Sequence, residues 1–133
     1  MAESTRGLLD TSVVIDLTSI DPGRLPDESA VAAITLAELA AGPHAANDPD
    51  EAARRQDRLQ WAAATWEALA FDADAARAYG RVFAAVRAAG QSHRPRLAGL
   101  LVAATAVSNG LPVYTRNADD FSALEGLLEV VAV

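Results

Sequence analysis

The chain has no cysteine and no lysine among its 133 residues, one methionine, and only 5% aromatic residues. Without cysteine there is no disulfide framework and no thiolate metal site, which leaves carboxylates, imidazoles and hydroxyls as the available chemistry. Such donors suit hard cations better than zinc. No apolar run approaches the roughly 18 residues that a membrane span needs. The opening MAESTRG lacks the charged-then-apolar pattern of a secretory signal, so a cytosolic protein is expected. Acid is also missing locally. From Ala75 to Ala118 there is no Asp or Glu, whereas Arg77, Arg81, Arg87, Arg94, Arg96 and Arg116 all fall in that window. The net charge of −7 argues against a nucleic-acid binder on average, but this arginine-bearing stretch is suited to an anion.

What is present is an apolar majority, 51% of residues, enough for one compact domain over residues 1–133. The short apolar run at 6–9 reads as a strand, followed by a brief helix from Ser12 to Leu17 and an Asp-Pro-Gly turn at 21–23. Ala30–Ile34 reads as a second strand. Thr35 and Glu38 then match a capping box that opens a helix, with Gly42-Pro43 ending or bending it. After the Asn47-Asp48-Pro49 turn, helix formers run from Asp50 to about Leu69, with Leu59, Ala63, Trp66 and Ala70 on one face. Trp61 and Trp66, five apart, are expected on different sides of that helix, one in the core and one at an interface.

Asp72 caps a further helix over 73–89 whose stripe is Ala76, Tyr79, Val82, Phe83 and Val86, and Gly90 stops it. Leu97–Ser108 is an apolar, small-residue helix ended by Asn109-Gly110. Strands at 111–115 and 128–133 bracket a turn at 117–121. Strands alternating with helices predict an α/β fold with a parallel sheet, because parallel neighbours need crossover connections.

Ligands of such sheets sit outside the carboxyl ends of the strands. Asp10 follows the first strand, Glu38 lies early in the helix after the second, and Asp119 and Asp120 follow the strand at 111–115. Three distant segments thus bring carboxylates to one edge. Gathered carboxylates repel unless a cation joins them, and Mg²⁺ or Mn²⁺ binds through one or two carboxylates plus substrate phosphate. Such ions activate water against a phosphodiester, which points to hydrolysis of a nucleic-acid strand. Thr11, Ser12 and Asn117 are placed to orient a carboxylate or a ligand water. Taken singly, each acid has a plainer reading: Asp10 as a helix cap, Glu38 in the capping box, Asp119 and Asp120 as turn residues. His44 and His93 have no ligand-spaced partner and read as surface residues. A phosphotransfer domain with Asp10 as nucleophile is disfavoured, since Ser12 stands where a second acid is usual.

The stretches LLDTSVVIDL, AAITLAELAAG, FDADAARAYGRV and LLVAATAVSNGLPVYTRNADDF, in this order and spacing, resemble a PIN-domain ribonuclease, specifically the VapC toxins of toxin–antitoxin pairs. The resemblance implies an α/β/α sandwich around a parallel sheet and Mg²⁺- or Mn²⁺-dependent cleavage of RNA. It also implies a homodimer and a cognate VapB-like antitoxin. Asp10, Glu38 and Asp120 match three family acids as metal ligands, with Asp119 an adjacent substitute. Arg94, Arg96 and Arg116 are candidates for the RNA backbone. The departure is at Gly99, where the family carries its third acid three residues before the apolar-Ala-Ala-Thr-Ala run. A weakened or silent PIN-fold protein that binds antitoxin or RNA without cutting is therefore the alternative expectation.

Overall fold

The computed structural model describes residues 4–133. Among these residues five strands form one sheet: β1 (Arg6–Leu9), β2 (Glu28–Ala32), β3 (Ala68–Leu69), β4 (Val113–Thr115) and β5 (Val130–Ala132). Their order is β3-β2-β1-β4-β5, and every neighbouring pair is parallel. Helices α1 (Thr11–Ile15), α2 (Ala33–Ala45), α3 (Pro49–Thr65), α4 (Ala73–Ala88) and α5 (Leu97–Asn109) make the crossovers as far as β4, and the 3₁₀ segment Ala118–Leu124 makes the one from β4 to β5.

Alternation along the strands divides the interior in two. Leu8, Ala32 and Val113 meet Val82, Val86, Leu100 and Ala103 of α4 and α5 on one face. Leu9, Val31 and Tyr114 meet Val13, Leu39 and Ala62 of α1, α2 and α3 on the other. A sheet covered on both sides explains strands with little polar alternation. This is the expected three-layer arrangement with a parallel sheet at its centre. Each large aliphatic side chain so enclosed contributes about 1.5–3 kcal/mol relative to exposure.

Two glycines are required by geometry. A Cβ at Gly7 would run into the ring of Tyr114, so only glycine lets that ring lie over β1. Gly110, at φ +65°, ends α5: its N–H donates to the Val107 carbonyl and that of Leu111 to the Ala106 carbonyl, the Schellman pattern.

Several local expectations shift. The second strand ends at Ala32 and α2 begins at Ala33, so Thr35 lies inside the first turn, buried, and caps nothing. The helix passes through Pro43 to Ala45, which puts exposed His44 in its last turn; a missing N–H there costs little near the end. Asp48 caps α3, accepting from the Glu51 N–H at 2.8 Å. That helix stops at Thr65, and Ala68–Leu69 is a short strand beside β2. Its packed side is Leu59 and Ala62, not Ala63, which is exposed as is Ala70. Because Trp66 lies beyond the helix end, the two indoles meet edge to face, 5.1 Å apart. In α4 the buried stripe is Ala75, Ala78, Val82 and Val86, with Ala76 outside. His93 is half-buried against the Phe83 ring rather than free at the surface.

Candidate active site

The carboxyl ends of β2, β1 and β4 lie side by side in the sheet; β1 and β4 are followed at once by Asp10 and Arg116, and β2 by α2, whose first polar side chain is Thr35. Asp10 leaves β1 with its N–H bonded to the Tyr114 carbonyl at 2.9 Å, which ties it to the end of β4. It occupies the position before α1, yet its carboxylate makes no capping bond to the helix. Instead Asp10 Oδ2 accepts from two hydroxyls, Ser12 Oγ at 2.9 Å and Thr115 Oγ1 at 2.8 Å. Each hydroxyl is itself held by the loop after β4: the Arg116 N–H donates to Ser12 Oγ at 3.1 Å, and the Asn117 N–H to Thr115 Oγ1 at 3.0 Å. Two backbone amides therefore orient two hydroxyls, and the hydroxyls orient one carboxylate that is only 8% exposed. The plain capping reading of Asp10 does not hold.

Glu38 does not serve a capping box either. It stands on the second turn of α2, and its Oε1 accepts from Thr11 Oγ1 at 2.7 Å. Thr11 follows Asp10 directly, so the two acids are linked through adjacent residues. A cleft of about 330 Å³ opens over them, lined also by Arg96, Gly99, Asn117 and Asp120. Asp120 comes from the 3₁₀ turn Ala118–Leu124 and lies 3.9 Å from Arg96 Nε. Arg96 is fixed by donating to Gln91 Oε1 at 2.7 Å. The apolar Ile15 and Leu97, each 46% exposed, stand on α1 and α5, the helices that carry Ser12 and Gly99.

The sequence profile of the PIN domain matches residues 7–127. The chain belongs to the PIN-domain family. Ribonuclease VapC5 of Mycobacterium tuberculosis is 41% identical over 127 residues, covering 93% of this chain and 91% of that protein. Ribonuclease VapC4 of the same organism is 34% identical over 131 residues, covering 96% and 97%. Among solved structures, VapBC-5 from M. tuberculosis, a member of the VapBC family of toxin–antitoxin systems, superposes with a TM-score of 0.86 at 39% identity, over 97% of this chain and 99% of that one. VapBC2 from Rickettsia felis, solved with a promoter DNA fragment, shares the fold at a TM-score of 0.76 and 18% identity.

In this PIN domain the cleft brings together Asp10, Glu38 and Asp120 with Thr11, Ser12, Asn117 and Arg96, all anticipated from sequence. Asp119 faces elsewhere, into a depression shared with Glu125 and Glu129. Arg116 pairs with Asp16, 3.5 Å from Nε to Oδ2, and Arg94 is exposed on the short 3₁₀ turn before α5. Thr115 and Thr35 were not anticipated. Thr115 had a signal, since it closes β4 at the carboxyl edge where Asp10 follows β1.

PIN-domain ribonucleases are generally metal-dependent. The donors here fit a hard cation: all are oxygens, and Asp10 Oδ1 and Glu38 Oε2 accept no protein hydrogen bond among the described residues. Among those residues no three acidic or imidazole groups close into a ready cage. Gly99 lines the same cleft, and a Cβ there would meet only Phe121 Cζ, at 3.8 Å.

Proposed function

We infer that this PIN domain is the toxin of a toxin–antitoxin pair, a divalent-metal-dependent endoribonuclease restrained by a cognate VapB-like antitoxin. The observation that carries this reading is the hydroxyl-held pair Asp10 and Glu38 in one oxygen-lined cleft, in a chain 41% identical to a protein named ribonuclease VapC5. Asp10, Glu38 and Asp120 are the residues to hold Mg²⁺ or Mn²⁺; Asp119, in its separate depression, is not available as a substitute. Bound there, the ion supplies a nucleophilic water and stabilises the leaving oxygen of the RNA backbone.

The chain's own residues do the rest. Ser12 and Thr115 keep Asp10 from turning, and Thr11 does the same for Glu38. Arg96, at the cleft, and Arg94 and Arg116 beside it offer positive charge to the RNA phosphates, while Asn117 holds the loop that carries Asp120. Among the described residues no helix is long and apolar enough to cross a membrane, and a cytoplasmic homodimer suits an enzyme acting on RNA.

Gly99 supports one competing reading, a PIN-fold protein that binds RNA or antitoxin without cutting. Incubating antitoxin-free protein with structured RNA, with and without Mn²⁺, decides between them. Cleavage that needs Mn²⁺ and is lost in Asp10→Asn and Glu38→Gln is expected. Absence of cutting at every metal concentration, with RNA still bound, favours the silent protein.

A further inference from the structure

Glu38 stands on an exposed part of α2, where a glutamate has several rotamers open to it. Its tether is Thr11, and Thr11 has a second neighbour: Oγ1 of Thr35 lies 3.0 Å from Oγ1 of Thr11. Thr35 is completely buried in the first turn of α2. A hydroxyl has one proton, and a carboxylate oxygen only accepts. The Thr11 hydroxyl is placed to donate both to Thr35 Oγ1 and to Glu38 Oε1; its one proton goes to the nearer, charged Glu38 oxygen, and the Thr35 hydroxyl, which has no other hydrogen-bond partner among the described residues, turns its own proton to Thr11. No buried polar side-chain atom among the described residues then lacks a partner.

We propose that Thr35 is a positioning residue for Glu38: its buried hydroxyl occupies Thr11 as an acceptor, commits the Thr11 proton to Glu38 Oε1, and so leaves Oε2 available for the cation. This rests on the metal-dependent ribonuclease reading. Valine matches threonine in shape but brings no proton to this buried position. The relay also links α2 to the start of α1, since Thr11 follows Asp10. Disturbing Thr35 therefore loosens the second acid while the Ser12 and Thr115 contacts of the first stay in place.

Thr35→Val deletes the donor and keeps the shape; Thr35→Ser keeps the donor. Mn²⁺ binding, read by electron paramagnetic resonance without any turnover, is expected to weaken about tenfold in Thr35→Val, the scale seen when a group orienting a metal ligand is lost. Thr35→Ser should bind as the parent does. In RNA cleavage, kcat falls in Thr35→Val while KM for RNA holds, and in a Glu38→Gln background Thr35→Val has no further effect on Mn²⁺ binding. Unchanged Mn²⁺ affinity in Thr35→Val, equal loss in Thr35→Ser, or a full loss in the Glu38→Gln background overturns the proposal. If the parent protein binds no Mn²⁺, the ribonuclease reading falls. The relay is then decided in metal-free protein by the side-chain couplings of Thr11: one rotamer in the parent and averaging in Thr35→Val support it, and one rotamer in both overturns it.

Discussion

Replacing Gly99 by aspartate tests whether the cleft lacks only a carboxylate. Position 99 is the third residue of α5 and lines the cleft with Asp10, Glu38 and Asp120; its Cβ would touch nothing nearer than Phe121 at 3.8 Å. On the backbone alone the change is favourable. Leaving glycine in a helix recovers about 0.3–0.5 kcal/mol, and an acid in a helix's first turn adds about 0.3–1 kcal/mol. Against this stand three carboxylates around the same space, of which Arg96 offsets one. Without a cation the repulsion wins, and Gly99→Asp should unfold at lower temperature than the parent in EDTA. With Mn²⁺ the order inverts. A metal present at a hundred times its dissociation constant stabilises by about 2.7 kcal/mol, which for a chain this size raises Tm by about 10 °C. Calorimetry of both proteins, with chelator and with millimolar Mn²⁺, reads the inversion directly, and cleavage of RNA should rise with it. Equal Mn²⁺ shifts in the two proteins would refute the reasoning, because the added oxygen would then be no ligand.

Other consequences are open to direct measurement. Thr115→Val removes a hydroxyl bonded to Asp10 and orphans the Asn117 N–H, while Ser12 still serves the carboxylate; urea unfolding should show a loss of about 1.5–2 kcal/mol, smaller in an Asp10→Asn background. Gly7→Ala drives a Cβ into the buried Tyr114 ring, and overpacking of this kind costs about 1–3 kcal/mol, visible as a lower urea midpoint. The guanidiniums of Arg54 and then Arg55 hold the Glu51 carboxyl below its usual value. A lowered folded pKa gives stability above the unfolded value that is lost as pH falls through the folded one. Acid titration of the helical signal should therefore show a loss in the parent that Glu51→Gln lacks.

Much of the architecture was legible because it rests on local rules. Gly90 and Gly110 end α4 and α5 where the pattern placed them, and polar residues after three parallel strands were expected at one edge. The misplaced elements are those decided by distant contacts. Thr35 and Glu38 fit a capping box perfectly well by spacing, yet Thr35 belongs to a hydroxyl pair with a residue 24 positions away. Ala68–Leu69 has no strand pattern of its own and exists because β2 offers an open side. Within the candidate site, Asp119 and Asp120 were indistinguishable as neighbouring letters, and only the 3₁₀ turn assigns them to separate hollows. Hydroxyls were the weakest signal, since serine and threonine occur everywhere and declare a role only through their partners.

The bond between Thr115 and Asp10 spans 105 residues and joins β4 to the strand at the centre of the sheet. A ribosome releasing this chain delivers Asp10 and Glu38 well before the loop that steadies Asp10 and carries Asp120. Fragments cut short before β4 cannot assemble the cleft. A cell making this protein thus meets no half-built cleft: its oxygens converge only once β4 has joined the sheet.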